Sequence, residues 1–529
     1  MSAEIPTRSV RVRSVRAVGP HAIVARLDST DAILALQRVL LEAPLSGQVD
    51  VIAAAETVTV LAEGAAAARR IHAWLSEVEI HPTASQVGAL VVLDTLYDGE
   101  DLGEVAELTG LSAEAVVTAH STQTWRVAFA GFAPGFGYLV GENQRLTVPR
   151  RAESRTAVPA GAVGLAGEYS AVYPRPSPGG WQLIGRTTQQ MWNLEWERPA
   201  LLSPGDRVQF RPVRELVEVS DAAAEVVSAT PVIRGIRVIS PGVQSLFQDL
   251  GRPGNARWGV GASGAADVGS LRRGNRIVGN RPIAASIEVA YGGLVVESLG
   301  DQVFAVTGAP LPLTVASPTR RDWHPDMATP FPLRDGETLT LHTPERGVRT
   351  YLAVRGGFEA DVVLGSRATD SLSGLGPAPV SPGALYAVAD DIDSGVVGWP
   401  EIQPDFPGIG VTELGVVPGP GVEWFGDNGL ARLVGQDWQV TAQSNRVGVR
   451  LQGEPVERVR SNELPSEGVV TGSIQVPPAG LPVLFLADHP ITGGYPVIAV
   501  VIPEHLDRAA QIPIGGRIRF RLKKVDAES

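Results

Sequence analysis

Apolar and polar residues alternate along much of the chain with the period of two that marks half-buried strands. The clearest cases are Arg207-Val-Gln-Phe-Arg211 and Arg517-Ile-Arg-Phe-Arg521, where the apolar side chains share one face and the polar ones the other. Another alternating run opens at Val232. Residues 1–80 mix both periods. Strands are predicted at 10–15 and 22–27, and a hairpin at 49–53 and 57–61. Helical spacing over 31–41, behind the cap cluster Ser29-Thr30-Asp31, and an Ala-rich run at 64–75 predict two helices.

One stretch fits neither period. Phe129-Ala-Gly-Phe-Ala-Pro-Gly-Phe-Gly-Tyr-Leu139 interleaves aromatics with three glycines and a proline. A helix there would lose about 1 kcal/mol per interior glycine and about 3 for the proline. The prediction is a strand over 125–130 that leaves its ladder through a glycine-held corner, with the flanking rings covering a pocket wall.

Two segments imitate nucleic-acid and nucleotide motifs. Residues 101–122 have the outline of a helix-turn-helix, with Gly110 in the turn and Ser112 capping the second helix. A recognition helix needs Arg, Lys, Asn or Gln on its exposed face, and this one offers Glu114, Thr118 and His120. A short connecting helix pair is expected instead. Gly259-Val-Gly-Ala-Ser-Gly264 matches the dinucleotide glycine pattern literally, but the Gly/Pro-broken segment before it cannot be the buried strand that pattern requires.

A repeat organises the rest. Gly137–Gly141 is echoed by Val449–Gly453, Gly161–Leu165 by Gly472–Val476, Gly179-Gly180-Trp181 by Gly493-Gly494-Tyr495, and Pro204–Arg211 by Ile514–Arg521, all at offsets of 310–314 residues. Two related β domains are therefore predicted to end the two halves of the chain.

The length of 529 residues suggests about three or four domains, and 59 glycines with 41 prolines favour many short strands joined by turns. The predicted class is mainly β with α+β: a small α+β domain at 1–85, a β domain at 86–214, an Ala/Glu/Ser-rich linker at 215–231, a β-rich part at 232–430 and a second β domain at 431–529. With no cysteine there is no disulfide, thiolate nucleophile or cysteine zinc site. The N-terminus has no apolar signal core, and no run approaches about 20 apolar residues, so a cytoplasmic chain without a membrane span is expected. A net charge of −12 argues against nucleic-acid binding. The only lysines are Lys523 and Lys524, which removes a P-loop lysine, a Schiff-base lysine and a biotin-carrying lysine from the interior of the chain.

Candidate chemistry is carried by polar residues on Gly-rich loops. In the first half, Arg150 and Arg155 are placed to bind a carboxylate or phosphate, and His120 is a candidate acid/base group. In the second half, Gln248, Asp249 and Arg252 lead to Ser263 and Asp267, followed by Asn275 and Glu288. Arg355, Arg446, Asp488 and Thr492 share this character, and Gln475 lies within the repeat. No Ser-His-Asp arrangement can be assigned, and no histidine pair has metal-ligand spacing. An enzyme built from these residues would use carboxylate acid/base chemistry with arginine stabilising anionic charge.

The aromatic stretch, with Pro149-Arg150, Val158-Pro-Ala-Gly161 and Ser177-Pro-Gly-Gly-Trp181, resembles the allophanate-hydrolase subunit 1 (KipI-like) family. Val243-Gln-Ser-Leu-Phe-Gln-Asp-Leu-Gly-Arg-Pro-Gly254, Ser263-Gly-Ala-Ala-Asp267, Ala353-Val-Arg-Gly-Gly357, Leu364-Gly-Ser-Arg-Ala-Thr-Asp370 and Thr492-Gly-Gly-Tyr495 resemble its subunit 2 (KipA-like) partner. The resemblance covers nearly the whole chain, as a fusion of the two.

It implies tandem cyclophilin-like β-barrel domains and one of three roles. The two proteins serve with a separate A-type subunit in bacterial 5-oxoprolinase, which uses ATP to hydrolyse 5-oxoproline to glutamate. The same pair forms the carboxyltransferase part of urea carboxylase. Some relatives inhibit a sensor histidine kinase. Urea carboxylase needs a biotinylated lysine that this chain lacks, and kinase inhibition would leave the polar loops unexplained. Allophanate hydrolysis needs an amidase Ser-Ser-Lys arrangement that lysines confined to the C-terminal end cannot supply. The expectation is a 5-oxoprolinase B/C fusion that uses ATP with magnesium and a small cyclic amide. Arg150 and Arg155 would hold anionic groups, Asp249, Glu288 and Asp488 would supply carboxylate chemistry, and Arg252 would stabilise developing charge.

Overall fold

The computed structural model describes residues 10–80, 88–216, 234–460, 462 and 464–523. It is mainly β, with one closed barrel and one nearly closed barrel. The linker read at 215–231 lies almost wholly outside the described residues.

Alternation builds both barrels. In Arg207–Pro212 the side chains of Val208 and Phe210 turn inward, and in Arg517–Leu522 those of Ile518 and Phe520 do the same. The first sheet runs Gln182–Arg186, Ala162–Ala166, Tyr169–Val172, Gly137–Gly141, Trp125–Ala130, Arg207–Pro212, Leu90–Thr95. A bridge between Leu96 and Arg186 draws its two edges together. The second runs Val497–Val501, Ser473–Gln475, Val483–Phe485, Gly448–Gln452, Trp438–Val440, Arg517–Leu522, Val411–Pro418, and closes back on its first strand.

The strand orders are the same, and each barrel has one parallel pair, at Arg207–Pro212 with Leu90–Thr95 and at Arg517–Leu522 with Val411–Pro418. All four sequence echoes fall on corresponding strands or on the turns that lead into them. The correspondence extends to single hydrogen bonds. The Trp125 indole donates to the His120 carbonyl and the Trp438 indole to the Leu433 carbonyl, each five residues upstream. Gly141 and Gly453 lie against those two rings, where a Cβ would collide. The second barrel begins at Val411 rather than at 431, because the parallel partner of its last strand lies upstream of the repeated segments.

Two five-stranded sheets stand between the barrels in sequence and face each other across one core that includes Phe247, Ile287, Val296, Phe304 and Leu352. The helix Val268–Val278 packs on this sandwich. Gly274 allows the approach, because a Cβ there would press on Thr307 and Ala353.

The N-terminal unit is a four-stranded antiparallel sheet with helices Thr30–Glu42 and Ala65–Glu77. Ser29 caps the first helix, accepting a hydrogen bond from the Ala32 amide. Val18, Ala22 and Val24 of this unit share a core with Val417, Val470, Val497 and Val500 of the second barrel. Its helix Thr30–Glu42 lies near the strand Trp125–Ala130 of the first barrel, so the unit spans both.

Candidate functional site

The aromatic corner forms as its glycines and proline predict. The strand Trp125–Ala130 ends, the chain turns through Phe132 at φ 64° and Gly135 at φ 78°, and Gly137–Gly141 returns antiparallel. Phe132 is 36% exposed although it is apolar and held in a left-handed conformation. A bulky residue kept in a strained, open position points to a local task. Behind it stand Phe136, Tyr138, Tyr173 and Trp181, with Phe132 edge-on to Phe136 at 5.1 Å and to Tyr173 at 6.1 Å.

Two loops from the second half meet this corner. The Gly135 amide donates to the Trp258 carbonyl at 2.9 Å. Gly131 lies so close to Thr492 that a Cβ would land on the threonine hydroxyl. That hydroxyl also meets the Tyr138 phenol. Gly131→Ala is therefore expected to push the corner off the 488–495 loop, at a cost of about 1–3 kcal/mol; thermal unfolding measures it.

Burial raises the Tyr138 and Tyr173 phenols to about 12, against a partial pull downward by the charge of Arg150. Both are protonated donors at neutral pH. Arg150 is exposed and makes no hydrogen bond or ion pair among the described residues. The rim is completed by Arg175, which donates to the Leu372 carbonyl, and by exposed Ser371. An apolar ring edge, a free guanidinium and two phenols suit a small anion with a flat or apolar body.

Beneath the rim lies a buried ionic network that joins the sandwich to the second barrel. Arg446 donates to Glu288 at 2.5 Å, to both oxygens of Asp488 at 2.9 Å, and to the Gly264 carbonyl at 2.6 Å. Asp488 also accepts from Ser263 and from the amide and hydroxyl of Ser371. Glu288 also accepts from Tyr351 and the Ala266 amide. Burial opposes ionisation of both carboxylates, but the arginine charges outweigh it and hold both below the usual range.

This geometry revises the expected roles. Glu288 and Asp488 are saturated with hydrogen bonds and buried, so they shape the site and do not transfer protons. Asp249 is likewise engaged by the Gly251 and Arg367 amides and the Ser366 hydroxyl. Arg252 donates to the Val363 and Ala368 carbonyls, leaving one buried terminal nitrogen without a partner among the described residues. Gln248 donates to the Thr369 carbonyl. Ser263, at φ 53°, is fixed on Asp488.

Other expected residues lie outside the rim. His120 is buried against the first barrel, its two ring nitrogens bonded to Tyr97 and Ser170 at 2.8 Å each, and burial lowers it to about 3. It is a neutral packing residue, not an acid/base group. Arg155 is held bidentately by Asp101, which Arg151 and the Leu183 amide also engage. Asp267 caps the helix Val268–Val278, and Asn275 within it bonds the Ala284 carbonyl and Asn280. Arg355 ties off that helix through the Val278 and Ser394 carbonyls. Gln475 holds the Tyr495 carbonyl. Only Arg150 and Thr492 meet the aromatic corner directly.

Tyr173, Arg175 and Ser371 were missed by sequence reasoning. Arg175 had a usable signal, a single arginine fixed between Pro174 and Pro176 beside the Ser-Pro-Gly-Gly-Trp turn. Among the described residues no group of three or more His, Asp or Glu is placed to hold a metal ion, and no helix is long and apolar enough to cross a membrane.

Residues 258–522 match the family described as carboxyltransferase domain, subdomain A and B, and residues 13–202 match carboxyltransferase domain, subdomain C and D. The chain is 34% identical over 292 residues to the C-type subunit of 5-oxoprolinase from Escherichia coli K12, covering 54% of this chain and 90% of that protein. It is 43% identical over 149 residues to the B-type subunit of 5-oxoprolinase from Escherichia coli O157:H7, covering 28% and 68%. The crystal structure of TTHA0988 superposes with a TM-score of 0.83 at 32% identity, covering 96% of this chain and 100% of that one.

Proposed function

Since the chain belongs to the carboxyltransferase-domain family, with its A/B and C/D parts in one polypeptide, we propose that it is the fused B/C component of an ATP-dependent 5-oxoprolinase. The observation that carries this reading is the likeness of one chain to both the C-type and the B-type components of that enzyme. The reading takes the barrels as cyclophilin-like domains and places the chain in the cytoplasm with a separate A-type subunit.

The rim beside Phe132 is the proposed substrate site. Arg150 takes the carboxylate of 5-oxoproline, the Phe132 edge covers its ring, and the Tyr138 and Tyr173 phenols donate to the amide oxygen. In the proposed reaction that oxygen attacks the terminal phosphorus of ATP and ADP leaves. Water then adds to the activated carbon and the ring C–N bond breaks, leaving γ-glutamyl phosphate, which a second water hydrolyses to glutamate and phosphate. Magnesium would arrive with the nucleotide.

The test is glutamate release from 5-oxoproline with the A-type subunit from the same genome. Release is expected only with both proteins and ATP, and the chain alone should stay at background. The family's description also favours a second reading, carboxyl transfer to urea or another amide. Transfer from added carboxybiotin, without ATP-dependent glutamate release, would replace the first reading by this one.

A further inference from the structure

A groove of about 1800 Å³ lies between the helix Thr30–Glu42, the first barrel and the Arg257-Trp258 turn, and none of residues 129–139 lines it. Its size exceeds what a small cyclic amide fills, since pockets for drug-sized ligands run about 300–1,000 Å³. Arg126 and Arg207 form its floor as direct cross-strand partners. Like charges in that position repel unless each has a counter-charge. Arg126 has one in Asp31, at 2.5 Å. Arg207 makes no side-chain hydrogen bond or ion pair among the described residues, and its Nε is buried without a partner. At the wall, the Arg257 guanidinium stacks over the Trp258 ring, 4.3 Å from its centroid.

From this arrangement we infer that the groove binds an organic phosphate with a planar ring, of the nucleoside phosphate class. The phosphate oxyanion completes Arg207 and shares Arg126, because a guanidinium presents paired donors to phosphate oxygens. The ring packs on the Arg257–Trp258 stack, as bases do on aromatic and guanidinium planes. The inference shares its nucleotide with the proposed reaction, and it is tested by binding alone, so failure of the groove and failure of that reaction are told apart.

Calorimetric titration of the full chain, at one fixed salt concentration, tests it with ADP, inorganic pyrophosphate and adenosine as probes. ADP should bind saturably and more tightly than either of the others. Arg207→Gln should weaken ADP and pyrophosphate at least tenfold without lowering the melting temperature, since it removes an unpaired charge. Trp258→Ala should weaken ADP about tenfold and leave pyrophosphate unchanged; the Trp258 carbonyl that holds Gly135 remains in this variant. Pyrophosphate binding as tightly as ADP would overturn the ring subsite. Absence of saturable ADP binding at millimolar concentration, or equal affinity in Arg207→Gln, would overturn the proposal. If Arg207→Gln melts early, Arg207→Lys, which keeps charge but loses the paired donors, should still bind ADP several-fold more weakly; undiminished affinity there also overturns it.

Discussion

Arg446→Met should destabilise the protein by about 3–5 kcal/mol, the usual result of removing one partner from a buried ion pair. The variant leaves Asp488 buried without its paired cation and Glu288 with only Arg349, 3.5 Å away, to offset its desolvation. Urea unfolding monitored by tryptophan fluorescence gives the value, and a loss below about 1 kcal/mol, the range of an exposed pair, would contradict the network's structural role. The same network sets an acid limit. Both carboxylates titrate below their unfolded values in the folded protein, so their contribution is complete above the unfolded pKa of about 4. It is lost as pH falls through the lower folded values. Melting temperature should therefore drop steeply below about pH 4, and Arg446→Met should show a shallower drop.

Arg150→Gln should lower kcat/KM about 10–100-fold with little change in melting temperature, while Arg155→Gln should lower the melting temperature and leave kcat/KM nearly unchanged. Arg150 holds the substrate carboxylate, and a hydrogen bond to a charged group is worth about 1.5–3 kcal/mol. Arg150 stands free at the rim, so its loss leaves the fold untouched. Arg155 spans both oxygens of Asp101, whose side chain is 4% exposed. Its removal leaves that carboxylate to Arg151 and the Leu183 amide, a loss of about 1–3 kcal/mol. Steady-state kinetics with the A-type subunit, set beside melting curves for both variants, separates the roles. Equal turnover losses with unchanged melting would return Arg155 to the binding site.

These two arginines show what could be read from the sequence and what could not. The corner at 129–139 was legible because glycine and proline restrict the backbone locally, whatever the chain does elsewhere. The pair of related β domains was legible because period-two strands and the turns between them recur at one offset, whereas their closure into barrels was implied only by the family resemblance. The identity of partners across the fold was not. Arg150 and Arg155 sit in the same polar stretch, and only Asp101, 54 residues upstream of Arg155, distinguishes them. Asp249, Glu288 and Asp488 carry the composition of a catalytic cluster, yet in the fold their oxygens are consumed by Arg446, serines and backbone amides. Polar residues on Gly-rich loops look alike whether they await a substrate or one another. Tyr173 and Arg175 escaped notice for the complementary reason: their value depends on Phe132 and Leu372 being brought to them.

The N-terminal sheet has a consequence for how the chain is made. Arg16 reaches the Pro420 carbonyl and Glu423, and Arg26 reaches Glu467, across 404, 407 and 441 residues of sequence. Val18, Ala22 and Val24 are covered by valines between 417 and 500. During synthesis at about 5–20 residues per second, that apolar face waits roughly 20–80 s for its covering strands to emerge. Interruption of translation within the second barrel would release a chain whose first-made surface is sticky and uncovered. That delay arises from the order of the segments, not from their stability once joined.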